Sequence, residues 1–141
     1  MEKADFEKLI PHAGRMCLLD RVLDWDEVSL TAETLTHRSP DHPLRSSEGL
    51  DAVHALEYGA QAMAIHAALS TGDGTRPGAE AGLLAASPRL RLEVERLDGF
   101  EVPLRVTVRR IFAQSSSFIY EFQVNAGNTR LADGEVIVVG A

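Results

Sequence analysis

The sequence predicts an α+β domain: six antiparallel strands in a sheet that curls around one long helix. Three observations predict it. Residues 50–71, LDAVHALEYGAQAMAIHAALST, read as a single helix whose alanines and Gly59 lie on nearly every side, and a helix apolar all round belongs inside its domain. After residue 89 the hydrophobic period changes to two, with Leu90, Leu92 and Val94 alternating against Arg89, Arg91, Glu93 and Glu95, the signature of strands with one buried face. Asp98-Gly99, Gly127-Asn128 and Asp133-Gly134 supply turns or bulges between or within such strands, and short connections imply antiparallel pairing. One apolar helix and one half-apolar sheet bury each other best when the sheet wraps the helix.

The elements follow in order. Residues 3–9 suit one or two helical turns, stopped by Pro11. The apolar run Met16–Trp25 reads as a strand, Asp26-Glu27 as a turn, and Val28–Thr36, with Val28, Leu30 and Ala32 alternating, as a second strand. Residues 37–50, HRSPDHPLRSSEGL, form a loop by their two prolines, glycine and polar content. It is long for a compact domain, and long loops are often functional. Ser46, Ser47 and Asp51 are candidate caps for the helix, and STGDGTRPG, residues 70–78, ends it. Four strands remain: Leu90–Glu95, Arg105–Arg109, Phe118–Val124 and Val136–Val139. The 141 residues suit a single domain with one core.

Composition bounds the function. A net charge of −7 argues against general nucleic-acid binding. No apolar run approaches the roughly 20 residues that span a bilayer, and MEKADFEKLI lacks the apolar core of a signal peptide, so a cytoplasmic location is expected. The lone Cys17 excludes an internal disulfide and reads as a core residue. His54 and Glu57, three apart on the helix, would make two metal ligands, but no third accompanies them at a recognisable spacing. No G-x-S-x-G elbow and no phosphate-cradling glycine loop occurs. Neither metal nor cofactor is expected.

The chemistry centres on Glu57. An ionised carboxylate on an apolar helix is costly to bury alone, so it is paired, protonated or working. Gln61 stands one turn on and His54 nearly one turn back.

Two motifs carry a resemblance. Leu9-Ile10-Pro11-His12 followed by Met16-Cys17-Leu18-Leu19-Asp20-Arg21-Val22, and Leu56-Glu57-Tyr58-Gly59-Ala60-Gln61 on the helix, are similar to the opening and helical signatures of the hotdog-fold 3-hydroxyacyl-acyl carrier protein dehydratases. The wording around His42-Pro43-Leu44, Gly49-Leu50 and Glu57 to Ala64 resembles the branch of that family found in aryl polyene gene clusters. The resemblance covers most of the first 70 residues. It implies the hotdog fold and elimination of water from a carrier-bound 3-hydroxyacyl thioester, with acyl carrier protein as partner. It also implies a dimer whose sites lie at the interface, where a loop histidine meets a helix acid from the opposite subunit and backbone amides at the helix start polarise the thioester carbonyl. The family's loop carries a G-H-F-P element about fourteen residues before the acid. Here His42 precedes Glu57 by fifteen, Asp41 replaces the glycine and no phenylalanine follows.

On this reading His42 is the base and Glu57 the acid, kept protonated near neutral pH by desolvation. The Gly49 and Leu50 amides are oxyanion donors, His54 and Gln61 border the substrate, and Arg38 and Arg45 dock the acidic carrier. His12, His37, His66 and Tyr58 are read as structure. Two alternatives stay open: a non-catalytic partner subunit of a heteromeric hotdog dehydratase, and a hotdog acyl thioesterase that uses Glu57 without a histidine. The oligomer is a homodimer or larger, or a heterodimer with another hotdog subunit.

Overall fold

The structure, a computed structural model, describes residues 1–9, 16–71, 83–86, 89–114 and 117–139. Pro11 and His12 of the opening motif, and most of the segment expected to end the helix, lie outside the described residues. A short helix α1 (Lys3–Phe6) precedes strands β1 (Arg21–Trp25) and β2 (Ser29–Thr34), the long helix α2 (Ala55–Thr71), and strands β3 (Leu83–Ala86), β4 (Leu90–Leu92), β5 (Leu104–Gln114), β6 (Ser117–Ala126) and β7 (Thr129–Val139). Every strand pairing is antiparallel, in the order β1-β2-β5-β6-β7-β3, with β4 also on β7. The sheet is six positions wide. β3 runs against Ile137–Val139 and β4 against Ala132–Gly134, so the two share the outer edge of β7.

Alternation decides what faces inward. Leu30 and Ala32 on β2, Leu104, Val106 and Val108 on β5, and Phe118, Tyr120, Phe122 and Val124 on β6 are buried, while their neighbours stay at least partly exposed. These residues pack with Tyr58, Ala62, Met63 and Ile65 in one core, and α2 lies against β2, β5, β6 and β7. The small residues of α2 are a steric requirement. A Cβ on Gly59 would come within 2.7 Å of the Phe122 ring. Gly134 answers the same need inside β7, since a Cβ there would run into the Arg89 carbonyl oxygen. Outside, Arg105 sits across from Glu33, Arg109 from Glu121 at 3.8 Å, and Asp133 between Arg89 and Arg130. Such exposed pairs each contribute little stability.

The structure corrects several boundaries. Residues 17–20 are not strand: Cys17, Leu18 and Leu19 are fully buried, but the Leu18 backbone bonds to the side chains of Gln61, Thr34 and Thr36, and only at Asp20, whose amide donates to the Glu33 carbonyl at 3.1 Å, does the backbone reach that of β2. The long helix starts at Ala55, after a 3₁₀ turn over Ala52–His54. Asp51 caps that turn, its Oδ1 accepting the Val53 amide at 2.8 Å, and Ser46 and Ser47 do not. β4 stops at Leu92, β5 to β7 outrun the expected strands, and β3 was not expected at all.

Candidate active site

Glu57 lies in the first turn of α2 and is half-buried. Gln61, one turn further along, is sealed in the interior and both ends of its carboxamide are used. Its Oε1 accepts the Leu18 amide at 2.8 Å and its Nε2 donates to the Met16 carbonyl at 2.7 Å. The same Nε2 reaches Glu57 Oε2 at 3.4 Å. Gln61 thus splices the segment before β1 onto α2 and holds one oxygen of the acid.

His42 is almost fully buried, on the turn that follows a 3₁₀ turn at Thr36–Arg38. The helix residue it meets is Tyr58, beside Glu57 in sequence, at 3.1 Å from Nε2 to Oη. The Leu44 amide donates to its Nδ1 at 3.0 Å. A backbone N–H only donates, so Nδ1 holds the lone pair and the ring proton sits on Nε2. Nε2–H therefore donates to Tyr58, whose hydroxyl donates to Thr36 Oγ1 at 2.8 Å. Thr36 in turn lies 2.7 Å from the Leu18 carbonyl. Thr34 and Asp20 brace the far end, with Thr34 Oγ1 2.6 Å from the same carbonyl and Asp20 Oδ2 accepting the Leu35 amide at 2.7 Å. Burial, helped by the charges of His54, Arg45 and His37, pushes the His42 imidazole down to about 4. Burial raises the Tyr58 hydroxyl. A cavity of about 240 Å³ opens beside His42, between Lys3, Cys17, Thr36 and Asp41. Burial also raises the Cys17 thiol, as suits a core residue rather than a nucleophile.

The amides expected to bind an oxyanion are occupied. Gly49, at φ +109°, donates its N–H to the Ser46 carbonyl at 3.1 Å. Leu50 donates to Asp98 Oδ1 at 3.0 Å. Asp98 is a hub: Arg45 Nη2 and Arg96 Nε each stand 3.4 Å from its carboxylate, and Arg38 Nη1 donates to its carbonyl at 3.0 Å. Burial opposes the charge on Asp98, but these donors outweigh it and hold the carboxyl below its usual range. Arg45, expected to dock a carrier, therefore turns inward, while Arg38 remains exposed.

His37 and His66 are structural. His37 is fully buried and donates Nε2–H to the Phe100 carbonyl at 2.8 Å. His66 donates to the Asp26 carbonyl at 2.8 Å and accepts from Tyr120 at 2.6 Å, fastening the β1–β2 turn to α2. Burial lowers both imidazoles. His54 is half-buried near His42. Tyr58, expected as structure, is buried and also accepts from His42; the bonding of Thr36 and the hub at Asp98, expected only as part of a turn, have no signal in the sequence pattern. Tyr58 follows Glu57 directly, but Asp98 lies on a distant connection that no spacing ties to the loop. Among the described residues no three His, Cys, Asp or Glu side chains gather as metal ligands, and no helix is long and apolar enough to cross a membrane.

The sequence matches the ApeP-like family, described as ApeP dehydratase, over residues 4–141. The chain belongs to the ApeP-like dehydratase family. No curated protein matches it. Among solved structures it is similar to the dehydratase heterocomplex ApeI:P from Xenorhabdus doucetiae, with a TM-score of 0.79 at 18% identity, over 96% of this chain and 90% of that one. It also resembles a putative thioesterase from Shewanella oneidensis (0.63, 12%, 99% and 93%) and S. sahachiroi AziG (0.64, 12%, 89% and 91%). At these identities the likeness speaks for the fold, which is the expected hotdog arrangement of a curled antiparallel sheet around one helix.

Proposed function

We propose that this ApeP-like chain is a subunit of a cytoplasmic hotdog dehydratase that eliminates water from a 3-hydroxyacyl thioester borne by acyl carrier protein. The observation that carries the reading is the Glu57–Gln61 pair. A carboxyl group stands in the first turn of the central helix, and a carboxamide locked at both ends fixes one of its oxygens. A fixed acid is what protonation of a departing hydroxyl requires. An imidazole base takes the α-proton, and the natural donor of that imidazole is a loop histidine, His42 in this chain. Gly49, Leu50, His54 and Gln61 border the acyl thioester on this reading, and Arg38 remains exposed for the carrier.

The bonding of His42 favours a second reading. Its one lone pair is spent on Leu44 and its proton points at Tyr58, so the resting imidazole has nothing with which to accept an α-proton. The chain would then supply Glu57 to a site whose base comes from another hotdog subunit, in a heterodimer rather than a homodimer. The ApeI:P structure is a heterocomplex, which supports this arrangement.

The experiment is a dehydration assay, followed by enoyl absorbance, on a 3-hydroxyacyl chain loaded on acyl carrier protein. If His42 is the base, the chain is active alone and His42→Ala lowers kcat by about two to four powers of ten. If the chain is a partner subunit, activity appears only with the second hotdog protein, and His42→Ala in the complex changes it little while Glu57→Gln abolishes it. Hydrolysis of the acyl thioester without dehydration would overturn both readings in favour of a thioesterase.

A further inference from the structure

Arg45 has a cationic N–H that the fold leaves unused. Its Nη2 is anchored to Asp98 at 3.4 Å, yet its Nη1 is buried with no hydrogen-bond partner among the described residues. A buried unpaired polar group is costly, and more so when charged, so it calls for an explanation. Charge balance points the same way. Asp98 brings one negative charge to the two guanidiniums on its carboxylate, Arg45 and Arg96, which leaves room for a further anion. The position fits the site: the Arg45 amide donates to the His42 carbonyl at 3.1 Å, and its charge bears on the His42 imidazole. Meanwhile the two amides that would otherwise receive an oxyanion, Gly49 and Leu50, are committed to Ser46 and Asp98.

We propose that Arg45 Nη1 is the oxyanion donor of this site, receiving the carbonyl oxygen of the acyl thioester in place of the Gly49 and Leu50 amides. The inference rests on the dehydratase reading. As a base removes the α-proton, the C–H electron pair moves through the α-carbon onto the carbonyl oxygen, where the guanidinium meets the new charge. The pair then returns, the C3–O bond breaks, and the leaving hydroxyl takes the acid's proton to depart as water. Arginine suits the role because it stays charged throughout and its planar fork, fixed at one nitrogen by Asp98, aims the other.

The test uses a substrate without a carrier, the N-acetylcysteamine thioester of 3-hydroxyoctanoate, on the whole chain with its partner subunit where activity needs one. Arg45→Gln is expected to lower kcat by about 10²–10³-fold with little change in KM, and added guanidinium to restore part of it. Arg45→Lys, which keeps the charge but not the planar fork, is expected to recover only a fraction. A docking role would leave turnover of this carrier-free thioester untouched, so a kcat for Arg45→Gln within threefold of the parent overturns the proposal. The same holds if Nη1 serves only a buried water or a partner-subunit acceptor. A parent without turnover counts against the dehydratase reading, and octanoate binding by calorimetry then decides. Binding weakened at least tenfold in both Arg45 variants supports the assignment; equal binding, or none in the parent, sinks it.

Discussion

Acid should weaken this fold through His42, by an amount the structure allows to be worked out. The imidazole is buried at 5% exposure, accepts the Leu44 amide and donates to Tyr58, so a second ring proton has no place to go. His54, Arg45 and His37 surround it with further positive or protonatable groups. Its folded-state pKa falls from 6.5 to about 4. For a base depressed by folding, the unfolded chain binds the proton first. Stability is intact above pH 6.5 and is lost as pH falls from there toward 4. Each pH unit in that window costs about 1.4 kcal/mol, so 1.5 units, from 6.5 to 5, remove roughly 2 kcal/mol. His37 and His66 shift in the same direction, so the parent loses more than this in total. The difference between the parent and His42→Gln isolates the His42 share. Urea unfolding at pH 7 and pH 5, at one fixed protein concentration, measures it. The parent should lose about 2 kcal/mol more than His42→Gln over that interval. Equal losses would refute the bonding scheme, because they would mean that His42 protonates freely in the folded protein.

Gln61→Leu keeps the side-chain volume but strands the Leu18 amide and the Met16 carbonyl, a cost on the order of 2–4 kcal/mol; calorimetry should show the melting temperature fall by roughly 10 °C, and a fall under about 2 °C would show that Gln61 splices nothing. Gly49→Ala combines a residue at φ +109° with a Cβ that would lie 2.8 Å from Asp98 Oδ2. The strain, about 1–3 kcal/mol, should push Asp98 off the Leu50 amide and speed hydrogen exchange at Leu50, whereas unchanged exchange would contradict the hub.

Most of the fold was legible because burial writes itself into periodicity. Phe118, Tyr120, Phe122 and Val124 announce β6, and the alanines of residues 52–68 announce a helix with walls on all sides. Periodicity fails where the backbone bonds to side chains. The run Met16–Leu19 is as apolar as any strand, but Gln61, Thr34 and Thr36 take its polar groups, and an apolar run alone does not distinguish the two arrangements. The start of α2 is not legible for a related reason: Asp51, Ser46 and Ser47 are all good caps by chemistry, and only the fold decides which one reaches a helical amide. Glu57 and Gln61 could be paired by counting four along a helix.

The state of His42 could not be read by counting, although the residues that set it stand beside it. Proline follows the histidine and has no N–H, so the first backbone donor after the ring is that of Leu44. Two residues on, that donor turns back onto Nδ1, much as an Asx turn satisfies a side-chain acceptor locally. Once Nδ1 is taken from within the loop, the proton must sit on Nε2, and a hydroxyl sixteen residues downstream, on Tyr58, receives it. In this chain, then, the His-Pro-Leu order selects the tautomer and the helix supplies the acceptor. The same His-Pro-Leu order withholds from His42 the lone pair that the proposed base would need, so the dehydration assay with and without a second hotdog subunit is where the two proposed readings part.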